Sequence, residues 1–137
     1  MAFNINKLTV KAQETIQMAV DIAQNYNNQM IEPEHIFAAL IQDSGGTGVA
    51  IINKVGGNIR QIQLKTNELL EKLPKITGSS IGNQQLSNYS IKMLDDASIE
   101  ARNLKDEYVS NEHILLALSS GNSAVSSLSA NLASCPG

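Results

Sequence analysis

Little in this sequence could cross-link it, hold it to nucleic acid or carry it into a bilayer. Its 137 residues include one cysteine, three prolines, no tryptophan and only five aromatics, three Tyr and two Phe. A lone cysteine excludes an internal disulfide, and Cys135, third from the end in a Ser/Ala-rich stretch, reads as a tail thiol. Basic excess is missing: 10 Lys and Arg stand against 13 Asp and Glu, for a net charge of −3. With so few aromatics to stack on bases, nucleic acid is not an expected partner. No apolar run reaches the roughly 18–20 residues that cross a bilayer, so no membrane partner is expected. Met1 to Lys7 lacks a basic segment followed by an apolar one, so no secretory signal is read and a cytoplasmic location is the expectation.

Reactive constellations are missing as well. Gly45-Gly46-Thr47-Gly48 is glycine-rich, but the phosphate loop G-x-x-x-x-G-K-[ST] is absent and no strand precedes it. Neither His35 nor His113 belongs to H-E-x-x-H, and no cysteine cluster supplies further ligands, so no metal is expected. The serine motif G-x-S-x-G does not occur. The chain therefore reads as a non-enzyme without a cofactor of its own. A small hydrolase built on Glu34/His35 or Glu112/His113 is the alternative from another class, and it lacks a nucleophile beside either pair.

What is present is a repeat. Apolar residues make up 42% and charged residues 17%, the balance of a folded domain, and a chain of this length buries roughly two-thirds of its unfolded surface. Leu8 falls on Leu86 and His35 on His113 by one shift of 78 residues, without a gap. Under that shift Thr9 meets Ser87, Ile16 meets Leu94, Ala19 and Ala23 meet Ala97 and Ala101, Ile31 meets Val109, and Glu34 meets Glu112. An internal duplication follows.

Ala12, Ile16, Ala19 and Ala23 recur at helical spacing, as do Ser90, Leu94, Ala97 and Ala101, so each copy opens with an amphipathic helix capped by Thr9 or Ser87. A second helix starts at Glu32-Pro33-Glu34-His35 and again at Ser110-Asn111-Glu112-His113, with Glu34 and Glu112 in the electropositive first turn. Their apolar runs predict that both second helices are buried centrally. A short helix is expected over Val49 to Lys54, ended by Gly56-Gly57, then a fourth from Asn58 to the stop at Pro74. Ala124 to Leu132 is the expected copy of the short helix, and Lys75 to Gln85 an exposed linker. The fold class is all-α: one domain over 1–137, with repeat one about 8–73, linker about 74–86, repeat two about 87–132 and tail 133–137, the copies packed about a pseudo-two-fold axis. The histidines, at equivalent helix starts, take a shared structural duty such as bonding to loop backbone. Around Tyr108 and Val109, the acids Asp106, Glu107 and Glu112 suggest either solvated charge or an apolar groove edged by acids that receives extended polypeptide.

Leu8-Thr9 before an Ala-rich helix, Ile31-Glu32-Pro33-Glu34-His35-Ile36, the Leu73-Pro74 stop and Asp106-Glu107-Tyr108-Val109-Ser110-Asn111-Glu112-His113-Ile114-Leu115-Leu116-Ala117-Leu118 together resemble the duplicated Clp N-terminal domain, over residues 8 to about 128. Asn28-Gln29-Met30-Ile31-Glu32-Pro33 leans toward ClpB-type disaggregases rather than ClpA- or ClpC-type unfoldases. The resemblance implies about seven or eight helices and a client-recognition module of a hexameric ATP-dependent chaperone. ATP and magnesium then belong to the parent protein, outside this chain. Implied partners are unfolded or aggregated clients, the rest of the ATPase and a co-chaperone or adaptor, with the isolated domain a monomer. The alternative is adaptor and substrate docking for a ClpA- or ClpC-like unfoldase of a protease. The family's client-handling threonine, aspartate and glutamate fall on Thr9, Asp106 and Glu112, and Leu94 matches a groove leucine. Glu100 stands where another groove leucine belongs, and Ile114 to Gly137 carries no charge, both departures from the family pattern.

Overall fold

The computed structural model describes residues 5–42, 46–54, 56–75 and 85–120. Among the described residues, a short 3-10 turn, Ile5–Lys7, is followed by six α-helices: α1 Val10–Asn25, α2 Pro33–Gln42, α3 Thr47–Lys54, α4 Ile59–Glu71, α5 Asn88–Asn103 and α6 Asn111–Ser120. The fold is all-helical; β-pairing among the described residues is confined to three isolated bridges. The expected helix over Ala124 to Leu132, most of the linker, and Cys135 with its tail lie outside the described residues.

Local chemistry sets the same boundaries in both copies. Thr9 holds extended backbone and its Oγ1 accepts from the Ala12 N–H at 3.1 Å; Ser87 does the same for Ser90 at 3.1 Å. Each cap contributes about 1 kcal/mol. The far ends match too. Asn27 and Lys105 turn left-handed at φ 54° and 62°. The Asn28 N–H then reaches back to the Ala23 carbonyl, and the Asp106 N–H to that of Ala101. Each is a Schellman ending in which the chain reverses so that the second helix can pack on the first. α1 and α5 accordingly run 16 residues each, α2 and α6 10 each.

One core joins the copies, with Ile16, Phe37, Leu40, Leu70, Leu94, Ile114 and Leu118 in a single cluster. α2 lies at its centre, buried at Pro33 and from His35 to Ile41, and packs on every other helix. Its twin α6 is less enclosed: Ile114, Ala117 and Leu118 are buried, but Leu116 is 48% exposed. Central burial of both second helices therefore holds for α2 and only in part for α6, because α4 covers α2 and has no counterpart over α6 among the described residues. α3 starts at Thr47, two residues before the expected Val49. Gly48 makes that start feasible, since a Cβ there would lie 2.7 Å from the Leu40 carbonyl oxygen. Gly56, at φ 82°, closes α3.

Two bridges record the pseudo-symmetry. Leu8 pairs in parallel with Val109, and Leu86 with Ile31. The duplication maps Leu8 on Leu86 and Val109 on Ile31, so each copy lends its entry strand-like residue to the other, the reciprocal pattern of a two-fold contact. Thr9 N–H donates to the Val109 carbonyl at 2.9 Å and Val109 N–H to Lys7 at 2.8 Å. In the twin, Ser87 N–H donates to Ile31 at 3.1 Å and Ile31 N–H to Gln85 at 3.0 Å.

Candidate protein-binding site

Each bridge creates a crossing where an N-cap, a helix ending and the start of a second helix meet. The crossing at Val109 carries Thr9, Asp106 and Glu112; its twin at Ile31 carries Ser87, Asn28 and Glu34. At both, a histidine fixes the turn. His113 Nδ1 accepts from the Ser110 N–H at 2.9 Å, and Nε2 meets Asp106 Oδ2 at 2.9 Å. His35 Nδ1 accepts from the Glu32 N–H at 2.8 Å, and Nε2 meets Asn28 Oδ1 at 2.7 Å. A ring nitrogen that accepts a backbone N–H carries no proton, so Nε2–H is the donor to Asn28 or Asp106. Each histidine thus plays the part that Glu or Gln takes in a capping box, satisfying an orphan N–H at a helix start. The structural duty read from the sequence is met in full. No group of three metal-binding side chains forms among the described residues.

The two crossings differ in what covers them. At Ile31, Asn28 is 1% exposed and Ser87 3%. Burial pushes the Glu34 carboxyl above its ordinary value and lowers the His35 imidazole to about 4. The cover is the chain leaving α4: Asn28 bridges antiparallel to Lys75, and the Pro74 carbonyl accepts from the Gln29 N–H and from Asn28 Nδ2, both at 3.3 Å. Lys75 Nζ donates to the Tyr26 carbonyl at 3.1 Å and lies over its ring. The first residues of the expected linker are therefore a strap and not a free tether.

The crossing at Val109 is open. The Asp106 side chain is 52% exposed, Glu107 and Glu112 are exposed, and Tyr108 shows 53% of its surface. Beside it lies a depression of about 130 Å³ lined by Lys7, Ser98, Ala101, Arg102, Asp106, Glu107 and Val109. Ser98 Oγ is buried there without a hydrogen-bond partner; its counterpart in the first copy is Val20.

The Clp repeat (R) N-terminal domain family matches residues 7–131. The chain belongs to this family. It is similar to the chaperone protein ClpB of Bacteroides thetaiotaomicron, 38% identical over 125 residues, which cover 91% of this chain and 14% of that one. The Hsp104 N-terminal domain from Candida albicans has the same fold, with TM-score 0.80 at 22% identity over 93% of this chain and 82% of that one. So does the N-terminal domain of the ClpV1 ATPase from E. coli, with TM-score 0.75 at 20% identity over 84% of this chain and 69% of that one. The chain is thus a Clp N-terminal domain, similar to that of ClpB, and it spans 14% of the length of the ClpB relative it matches.

In this Clp N-terminal domain, the residues carried over from the family pattern divide. Thr9, Asp106 and Glu112 gather at the open crossing, Thr9 through its N–H on Val109, the two acids three residues to either side of Val109. Leu94 does not join them: it is fully buried in α5 and packs in the core, so it offers no groove surface. Glu100 is half-buried on the same helix. Sequence reasoning missed the strap, taking Pro74 only as a helix stop. No local pattern signals that its carbonyl finds Gln29, because that contact spans 45 residues (29 to 74).

Proposed function

We propose that this Clp N-terminal domain recognises unfolded or aggregated proteins for a ClpB-like disaggregase and delivers them to the ATPase ring. One observation carries the reading: of two equivalent crossings, one is sealed by the chain itself and the other stands open, rimmed by Asp106, Glu107 and Glu112 around exposed Tyr108. An exposed aromatic with flanking acceptors suits extended polypeptide, whose backbone N–H groups and apolar side chains are accessible. Kinship with ClpB relatives supports the client class. The parent is then an AAA+ ATPase using ATP and magnesium in its ring, with this domain as a non-catalytic, monomeric, single-domain receptor at its edge, working in the cytoplasm with an adaptor or co-chaperone.

The test compares a permanently unfolded protein with its folded form, each titrated against the chain by fluorescence anisotropy. The unfolded form binds measurably tighter, and Glu112→Ala weakens it several-fold while leaving stability within about 0.5 kcal/mol, as for an exposed side chain. Thr9→Ala weakens binding as well, with a loss of about 1 kcal/mol of stability from the missing cap. Equal binding of both forms contradicts the reading.

A further inference from the structure

The two crossings differ at one hydrogen-bonding point. In the first copy the Gln29 N–H and Asn28 Nδ2 converge on a single acceptor, the Pro74 carbonyl oxygen, each at 3.3 Å. Asn28 donates there because its Oδ1 is turned to His35 Nε2. The duplication maps Asn28 and Gln29 on Asp106 and Glu107. The backbone is preserved: both turns are left-handed at the preceding residue, and both Schellman bonds are made. Asp106 turns Oδ2 to His113 Nε2, so its Oδ1 takes the place of the Asn28 amide nitrogen. The Glu107 N–H meets no partner among the described residues. Two converging donors have become a donor beside an acceptor. We propose that this point, with the depression beside it, binds a primary carboxamide, the side chain of an asparagine or glutamine in an unfolded client. This rests on the protein-binding reading above and names the side chain that its site selects.

Other groups satisfy only half of the pair. A backbone carbonyl placed like that of Pro74 accepts from the Glu107 N–H but faces the Asp106 oxygen, acceptor against acceptor. A carboxylate meets the same opposition with a full charge. An ammonium satisfies Asp106 and leaves the Glu107 N–H unmet. A carboxamide answers both, its oxygen accepting from the Glu107 N–H while its NH2 donates to Asp106 Oδ1. The surroundings also favour a neutral head. Lys7 and Arg102 line the depression together with Asp106 and Glu107, and neither cation is ion-paired with these acids, so a charged group meets both signs at once. Its volume, about 130 Å³, is several times the roughly 30 Å³ share of a water molecule, room enough for an amide head. Ser98 Oγ is buried there without a partner, and a hydroxyl can meet either the second lone pair or the second N–H of the amide.

The probes are two capped pentapeptides, acetyl-Ala-Leu-Gln-Leu-Ala N-methylamide and its methyl-ketone analogue, in which CH3 replaces the side-chain NH2. Each is titrated into the 15N-labelled 137-residue chain. The two share shape and neutrality and differ only in the donor offered to Asp106, and the methylamide cap leaves the glutamine side chain as the only primary carboxamide. The expected result is a saturable shift of the Glu107 amide, with the glutamine peptide bound about fivefold more tightly, the strength of one net hydrogen bond. Asp106→Asn, which leaves His113 with the partner that His35 already has, puts a donor at that point and brings the two peptides to equal affinity. No shift at Glu107, equal affinity in the unaltered chain, or a preference that survives Asp106→Asn overturns the proposal; the first two need no variant. If the chain still prefers an unfolded protein over its folded form in that case, the protein-binding reading stands and only this selectivity is lost. A glutamine preference at Glu107 in a chain indifferent to unfolded protein does the opposite: the point keeps its ligand and the unfolded-client reading falls.

Discussion

His35 and His113 illustrate how one residue type serves two environments. Both bond a backbone N–H through Nδ1; at His35, protonation would set two N–H groups against each other. His35 is fully buried against Asn28, and burial lowers it from the ordinary 6.5 to about 4. The unfolded chain then takes up a proton that the folded chain refuses between those values. Stability from this residue is complete above pH 6.5 and drains as pH falls toward 4, by about 2 kcal/mol between pH 7 and 5. Urea unfolding at the two pH values measures it. The drop shrinks in His35→Gln, whose side-chain oxygen can still cap Glu32; an unchanged drop assigns the effect elsewhere. The role of both histidines was legible from their repeated place at a helix start. Which of the two has an exposed partner was not, because the burial of Asn28 beside His35 depends on a strap 39 residues further along the chain (35 to 74), while Asp106 beside His113 stays half exposed.

Among the elements, α3 depends on a single missing atom group. Its second residue, Gly48, presses on the last turns of α2, and a Cβ there would sit 2.7 Å from the Leu40 oxygen and 3.1 Å from the carbonyl carbon. These are backbone atoms of the most enclosed helix, so they have little room to give. Gly48→Ala is expected to destabilise the fold by about 1–3 kcal/mol, the range for overpacking, as measured by urea unfolding. An unchanged midpoint means that α3 can slide away from α2 at no cost. The helix pattern itself was open to reading: α1, α2, α5 and α6 follow from apolar spacing and caps that Thr9, Ser87, Pro33 and Asn111 announce. Leu94 shows where that reading stops. An apolar residue on the inward stripe of an amphipathic helix looks the same whether it lines a groove or fills a core, and packing by α6 decides for the core.

For the whole molecule, duplication yields two matching helix pairs, α1–α2 and α5–α6, whose crossings differ in what covers them. The halves exchange the bridges Leu8 to Val109 and Leu86 to Ile31, while Pro74 and Lys75 seal only one of the resulting crossings. The sequence held a trace of this difference in the change from Asn28-Gln29 to Asp106-Glu107, neutral on the sealed side and acidic on the open side. Its meaning needed the tertiary contact. The central claim is that the unsealed crossing is where the domain meets unfolded protein. Amide-shift mapping of the 15N-labelled chain with an unfolded client tests it most directly. The account predicts perturbations clustered at Thr9, Glu107, Tyr108 and Glu112, with Ser87, Gln29 and Glu34 unmoved; perturbations centred on the sealed crossing, or spread evenly over both, contradict it.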